Sequence, residues 1–409
     1  MRDDMKVPDI SAEQLRPVVG RALGSSDATP LAWSCEPLGA DLVNPITAGL
    51  YRVAGTAEVD AARVRPWQVI LKVSHHPDFA GTPLEHGYAE HPEDWNYWRR
   101  EVLAYRSGIP DRFRSPLRPV QCWSAEDVDE TTAWLWLEDL EVTTDGPRWS
   151  LDDLAASAYD WGAFSAQGVA LVGEVESQPW ALRRFLRGWL RTARGLGADH
   201  SALHDGCWHH PLLRERLPAQ AHATYAALMS AAGPLLDRLE ELPRTVAHHD
   251  THGKNVFSET TKDGRRTVAI DWSDLGTAPV GQDLGHFVAL NLFLRVVTPS
   301  AAAEHERTAT DAYLEGLRAF GWHGDEDDVR FAALTTASVQ MLSFAACHIA
   351  WLCPHFGEVD RWPEEQAEKQ FSDVDTIMDS WCEVVRFLLM LGERAMRWPA
   401  RPGGIPRER

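Results

Sequence analysis

The chain lacks any excess of basic residues. Its 40 Lys and Arg stand against 60 Asp and Glu, which gives a net charge of −20 at pH 7. Proteins that bind nucleic acid or dock on anionic membranes present a cationic surface, so the composition disfavours both classes. An acidic surface is compatible with a cationic partner, although charge alone does not identify one.

Cysteine is scarce, and long apolar runs are missing. The six cysteines form no Cys-x-x-Cys pair, a pattern that favours reduced thiols in a cytosolic protein. No run approaches the about 18 apolar residues of a membrane span, and the first residues lack the apolar core of a signal peptide. We therefore expect a cytoplasmic protein with no membrane partner. Its 44% hydrophobic and 24% charged residues are ordinary for a globular chain.

A Gly-x-Gly-x-x-Gly signature is absent as well. Gly39 and Gly49 bound the first long turn, but they are too far apart to match it. Backbone amides in such a turn can face phosphate oxygens, so the turn is a candidate phosphate cover. By itself it is more typical of an ordinary hairpin.

The sequence does contain a dense polar cluster between two strand-like runs. Residues 246–257 read Val-Ala-His-His-Asp-Thr-His-Gly-Lys-Asn-Val-Phe, and the β-branched run that follows ends at Asp271. A hairpin would deliver Asp250, Asn255 and Asp271 to one place. Their oxygens are hard ligands, which suit Mg²⁺ rather than zinc. In kinase chemistry such an Asp accepts the proton of the substrate hydroxyl, while the Asn and the second Asp hold metal on the phosphates.

This pattern resembles the aminoglycoside phosphotransferase and choline kinase-like family, on the segments His248-x-Asp250-x-x-x-x-Asn255 and Ile270-Asp271-Trp272. The resemblance implies a two-lobed, protein-kinase-like α+β fold. A small N-terminal antiparallel-sheet lobe would precede a larger, mainly helical C-terminal lobe. It also implies Mg²⁺-dependent transfer of the γ-phosphate of ATP or GTP to a hydroxyl of a small molecule, such as an antibiotic, a sugar or an amino alcohol.

The resemblance also implies roles for single residues. Asp250 would orient the hydroxyl and accept its proton, and Asn255 and Asp271 would hold Mg²⁺. His248 and Asp283 would brace the catalytic loop, Asp283 by hydrogen bonds to the loop backbone.

Three positions depart from the usual family pattern. His249 stands where Gly is usual, and Gly253-Lys254 stands where Pro-Gly is usual. Ser273 stands where an acid often follows Asp-Trp, which raises the question of whether Asp274 supplies that charge.

The residues predicted to bind the nucleotide lie in the N-terminal part of the chain. Lys72 lies in an apolar strand, where a lysine is costly unless it is paired or binds an anion. By resemblance it would hold phosphates, oriented by Glu101 on the next helix; an exposed glutamate beside two arginines is the alternative. Gly49 would cover the phosphates, and Glu138 and Leu140 would lie at the hinge whose backbone binds adenine.

The predicted organisation has four parts: a flanking helical segment over 1–30, a nucleotide-binding lobe over 31–140, a catalytic and acceptor-binding lobe over 141–400, and a disordered tail over 401–409. An insert over 75–96, rich in His and aromatics, is long enough to suggest a functional loop that covers the active site. Periodicity predicts helices over 93–107, 151–167 (with Ser150 as N-cap), 179–195, 218–242, 287–297, 301–320, 326–347 and 363–397.

Three alternatives remain open. A protein kinase would show an activation segment after Asp271, but Ala278-Pro279-Val280 follows almost at once. A metal-dependent hydrolase would not need Lys72. The third alternative is a catalytically inactive kinase-like module that binds a small molecule or a protein. It is disfavoured because every charged residue of the catalytic pattern is present.

Overall fold

The computed structural model describes residues 7–38, 46–59, 63–76, 89–113, 115–140, 149–198, 208, 211–262, 264–352 and 374–399. Most of the predicted turn after Gly39, the greater part of the insert and the 401–409 tail lie outside these residues. Within the described helices, none is long and apolar enough to cross a membrane.

The chain divides into two compact units. The first comprises Met1–Pro147, Gly173–Arg183 and Asn255–Gly276, and the second comprises the remaining segments 148–172, 184–254 and 277–409. The first unit is therefore discontinuous in sequence, because it takes in the segment that follows the predicted catalytic stretch. The predicted lobe boundary near residue 140 stays a prediction.

The first unit contains an antiparallel sheet of five strands in the order β1-β2-β3-β6-β5. The strands are β1 Thr29–Pro37, β2 Thr47–Val59, β3 Arg63–His75, β5 Cys122–Asp127 and β6 Thr132–Glu138. Side chains of β2 alternate between buried and partly exposed, as expected for a strand with one face on a core. Helix α1, Ala12–Leu23, packs on that core through Leu15, Val18 and Val19.

Helix α1 lies in the predicted flanking segment and begins directly after a capping residue, Ser11. The Ser11 hydroxyl accepts the Gln14 N–H at 3.3 Å, and the Gln14 side chain accepts the Ser11 N–H at 3.0 Å. This reciprocal pair satisfies backbone donors that the first helical turn leaves without partners.

The second helix starts later than predicted. Helix α2 spans Arg100–Ser107 instead of 93–107, and turns occupy the preceding residues. The carbonyls of Pro92 and Trp95 accept hydrogen bonds from the Arg100 guanidinium. Those carbonyls are therefore not used for the backbone bonds of a longer helix.

A smaller sheet in the first unit carries the predicted hairpin. Strand β4, Leu117–Pro119, pairs in parallel with β9, Gly264–Ala269, which pairs antiparallel with β8, Val256–Thr261. The Ile270 N–H donates to the Asn255 carbonyl at 2.9 Å. The hairpin thus brings the residues before β8 and after β9 to the same end.

The second unit is mainly helical. Its helices are α3 Leu151–Gly168, α5 Phe185–Ala198, α6 Pro211–Arg214, α7 Ala221–Glu240, α8 Gln282–Phe293, α9 Ala302–Ala319, α10 Glu326–Leu352 and α11 Val374–Arg397. The short helix α4, Val172–Glu176, lies almost wholly in the first unit. Ser150 caps α3 as predicted, through a capping box with Asp153. Strands β7 Arg244–Ala247 and β10 Gly276–Pro279 form a two-stranded pair. The predicted α+β class, with an antiparallel N-terminal sheet and a mainly helical C-terminal part, is confirmed.

Two further helix starts were predicted incorrectly. Helix α5 begins at Phe185 rather than 179, because Leu182 forms an extended bridge with Gly276. Helix α8 begins at Gln282 rather than 287, directly after Gly281, whose φ of 100° lies in the left-handed region. The earlier start places Asp283 in the first turn of the helix.

Candidate active site

In the first unit, Lys72 lies between two carboxylates. Its ammonium is 2.7 Å from Glu101 Oε2 and 2.9 Å from Asp271 Oδ1. The strand supplies the lysine, helix α2 the glutamate, and the end of β9 the aspartate. The ion pair expected between Lys72 and Glu101 is thus present, and Asp271 joins it.

Electrostatics keep Lys72 cationic. Burial by itself lowers the pKa of the Lys72 ammonium, but the charges of Asp271 and Glu101 outweigh it and raise the pKa above its ordinary value. Burial raises the pKa of the Glu101 carboxyl, which the contact with Lys72 opposes. The Asp271 side chain is 29% exposed against 4% for Glu101. Asp271 is therefore the carboxylate accessible to a further cation.

Asp271 and Asn255 lie at one end of the β8–β9 hairpin. Both offer side-chain oxygens, the donor type that Mg²⁺ prefers. Asp271 has φ 59° and ψ 68°, a left-handed conformation that Asp tolerates better than most residues and that is concentrated at functional sites. The donor set of this hairpin end fits a hard divalent cation.

Arg100 fixes the loop after Asp271. It is fully buried, and its five N–H groups match five backbone carbonyls: those of Trp180 at 2.8 Å, Trp95 at 2.8 Å, Ser273 at 3.2 Å, Pro92 at 2.7 Å and Asp94 at 2.6 Å. Burial lowers the pKa of Arg100 to about 10, and the charge of buried Asp274 opposes that decrease. The charge of Asp274, the carboxylate that follows Ser273, thus stabilises the Arg100 cation.

The predicted hinge residues lie at the end of β6, where Glu138 is the last strand residue, and just after it. The Glu138 carboxylate binds Arg118 at 2.7 Å, and its N–H donates to the Gln121 carbonyl at 2.8 Å. Asp139 is held by Arg52 at 2.7 Å. The Leu140 N–H makes no hydrogen bond to the described residues. The Leu140 N–H is therefore open to a ligand.

Gly49 lies within β2, buried, opposite Val73 and beside a register irregularity that begins at Thr47. A Cβ at this position would lie 2.5 Å from the ring of Tyr51. Glycine inside a strand commonly marks a bulge or the close approach of another group.

In the second unit, Asp283 accepts hydrogen bonds from the backbone of the predicted catalytic loop. Its two carboxylate oxygens accept the N–H of His248 and the N–H of His249, each at 2.9 Å. Its own carbonyl accepts the Thr251 hydroxyl. The predicted hydrogen bonds from Asp283 to the loop are present. His248 is buried against the edge of Trp161, with 5.2 Å between ring centroids.

Asp250 is oriented by two histidines. Its N–H donates to His248 Nδ1 at 3.3 Å, and its carboxylate lies 3.3 Å from His252 Nε2. His252 Nδ1 accepts the Lys254 N–H at 3.1 Å. A neutral imidazole has one donor and one acceptor, so the hydrogen of His252 is on Nε2, the nitrogen that lies 3.3 Å from Asp250.

The model of the phosphotransferase enzyme family matches residues 111–323, more than half of the chain. The chain belongs to this family. The matched range includes His248, Asp250, Asn255, Asp271 and Asp283. This protein is therefore a phosphotransferase. Lys72 and Glu101 lie outside the match.

Several solved structures are similar to this phosphotransferase. A microcompartment-associated aminopropanol kinase is 14% identical, with 93% of this chain and 97% of that chain covered and a TM-score of 0.44. An aminoglycoside phosphotransferase from Streptomyces rimosus ATCC10970, in complex with ADP and streptomycin, is 19% identical over 75% and 92% of the two chains, with a TM-score of 0.42. A Plasmodium vivax ethanolamine kinase is 9% identical over 88% and 81%, also with a TM-score of 0.42. No curated protein gives a significant match.

Sequence reasoning missed two residues of this phosphotransferase. Arg100 was passed over as one of two arginines beside Glu101, yet a charged residue next to a buried glutamate is a usable signal. His252 repeats the spacing of His248 on the other side of Asp250. That symmetry is a signal from which a second histidine in contact with the aspartate could have been predicted.

We predict an acid limit to turnover that comes from Asp283. Burial raises the pKa of its carboxyl to about 6, against the opposing effect of the two backbone N–H groups. Protonation removes a hydrogen-bond acceptor from the loop, so kcat should fall as the pH drops through about 6. A pH–rate profile measures this, and Asp283→Asn should abolish that limb while lowering kcat. A limb that persists in the variant assigns the titration elsewhere.

The same group should affect stability in the opposite direction. Because its folded pKa of about 6 exceeds the ordinary value of 3.8, the folded protein binds more protons between those values than the unfolded chain does. This stabilising contribution is fully present below the unfolded pKa and is lost as the pH rises through the folded pKa. Thermal melting of wild type and Asp283→Asn across this range separates it from the rate effect.

Replacing Arg100 with Ala should lower the free energy of unfolding by at least ~3 kcal/mol, because several buried carbonyls lose their donors at about 1–3 kcal/mol each. Arg100→Lys should rescue part of the loss, since an ammonium has three donors for five carbonyls. The matched control is Arg99→Ala, which removes a partly exposed ion pair with Asp127 and should cost under ~1 kcal/mol. Equal losses at both positions in urea unfolding would contradict the role of Arg100.

Proposed function

We propose that this phosphotransferase moves the γ-phosphate of ATP or GTP, with Mg²⁺, to a hydroxyl of a small molecule. The observation that supports this most directly is the buried Lys72 ammonium in contact with Glu101 at 2.7 Å and Asp271 at 2.9 Å. A lysine held by a helix glutamate is the arrangement that kinases use for nucleotide phosphates.

The proposed chemistry is an in-line displacement. The acceptor hydroxyl oxygen forms a bond to the γ-phosphorus, and the bond from that phosphorus to the β–γ bridging oxygen breaks. Asp250 takes the hydroxyl proton, and the nucleoside diphosphate leaves. Asp250 is suited to this because the Nε2–H of His252 and the backbone contacts of the loop hold it in one orientation. Positioning and charge neutralisation supply most of the rate.

Lys72 would contact the nucleotide phosphates, and Glu101 would keep the ammonium in place. Asn255 and Asp271 are the proposed protein ligands for Mg²⁺, whose charge would neutralise the phosphates when bound. Leu140 and Glu138 would bind adenine through their backbone, and Gly49 would allow the phosphate cover to approach. His248 would brace the loop.

The experiment is a screen of hydroxyl compounds for ADP or GDP release. Amino alcohols, sugars and aminoglycosides are each offered with MgATP and with MgGTP. We expect one class to raise diphosphate release well above the rate in buffer, and Asp250→Asn to remove the increase. Tight MgATP binding without release for any compound would instead support the inactive binding module.

A further inference from the structure

His249, the residue before the proposed catalytic Asp250, belongs to a buried cluster of rings in the second unit. His249 is 1% exposed. Its ring stacks on Phe185, with centroids 4.9 Å apart and 10° between planes. The edge of His286 meets it at 5.8 Å and 79°. Such contacts leave the imidazole of His249 little freedom to turn.

The amide of Gln282 links the two imidazoles. Its Nε2 is 3.1 Å from His249 Nδ1 and 3.4 Å from His286 Nε2. An amide nitrogen carries two N–H donors and no acceptor, so it serves both rings only when both of these ring nitrogens lack a proton. Burial lowers the pKa of His286 to about 3, which keeps that ring neutral.

The backbone of His249 adopts a conformation that favours glycine. Its φ is +67°, in the left-handed region that side chains with a Cβ adopt at a cost. The His249 N–H is fixed by Asp283 Oδ1 at 2.9 Å, and its ring is fixed by Gln282 and Phe185. Because Asp250 is the next residue, any relaxation of φ at 249 displaces the carboxylate of Asp250.

We propose that His249 is a positioning residue for Asp250, held in its left-handed conformation by Gln282 and Phe185. The inference rests on the proposed function of Asp250. At a position where the family usually has glycine, this chain uses a side chain with two anchors, which restricts the loop to one path.

Three substitutions separate the backbone effect from the ring effect. Asn at position 249 tolerates a positive φ and places a hydrogen-bond acceptor near the site of Nδ1. Gly tolerates the positive φ but has no acceptor, and Ala has neither property. With MgATP as substrate and water as the acceptor, kcat should fall ~10-fold or more in the Ala variant, with an unchanged KM for MgATP, and least in the Asn variant. The control is His305→Gln, at another buried histidine. It should lower Tm without a selective fall in kcat.

A second readout does not depend on turnover. The ¹⁵N imidazole spectrum should show His249 with an unprotonated Nδ1, and Gln282→Leu should remove that signature. The Asp250 amide should exchange faster in His249→Ala than in His249→Asn. If wild type turns over neither with water nor with any compound of the screen, the proposed function fails, and these spectra alone decide the inference about His249. A protonated Nδ1, or equal kcat values in all three variants and wild type, would overturn it.

Discussion

Replacing Asp250 with Asn should reduce phosphoryl transfer by at least ~10²-fold, while MgATP binding is retained. The amide has nearly the shape of the carboxylate, so the loop should keep its hydrogen bonds. It cannot take the proton of the acceptor hydroxyl. The contact with His252 Nε2, at 3.3 Å in the wild type, should persist because the Asn oxygen still accepts.

The measurements are steady-state kinetics with the acceptor from the screen and calorimetry with MgATP. Asp152→Asn is the matched control. It makes the same chemical change at an exposed residue in the first turn of α3, away from the loop. Turnover near that of the wild type in Asp250→Asn would show that another group receives the proton.

Asp271→Ala should have the second largest effect, a loss of Mg²⁺-dependent nucleotide affinity. The substitution removes a proposed metal ligand and one of the two carboxylates that contact Lys72. Loss of a hard oxygen ligand weakens a divalent site directly. We expect MgATP and metal-free ATP to bind this variant with similar affinity, whereas the wild type should prefer MgATP.

Calorimetry with MgATP, MgGTP and metal-free nucleotide tests this expectation. Asn255→Ala should move in the same direction, and Glu58→Ala, at an exposed position of β2, should not. An unchanged metal preference in both Asp271→Ala and Asn255→Ala would remove these residues from the metal site. A loss of affinity for metal-free nucleotide alone would point to Lys72 instead.

The sequence by itself determined the residues that local patterns carry. The number of residues between Asp250, Asn255 and Asp271 can be read directly from the sequence. A hairpin between Asn255 and Asp271 follows from the β-branched runs on both sides of a turn. Ser150 predicted the start of α3 because a cap acts within one turn of its own helix. These features depend on neighbours in the chain, so sequence reasoning reached them.

Only the tertiary structure decided which distant groups meet. Lys72 and Asp271 are 199 residues apart, and Arg100 takes carbonyls 80 and 173 residues away. Arg100 also binds the carbonyls of Pro92 and Trp95, and turns occupy that segment where periodicity extended the helix to residue 93. The left-handed φ of His249 likewise depends on Phe185, Gln282 and Asp283, from other segments of the chain. Packing selects such partners, and no local preference of the histidine itself predicts them.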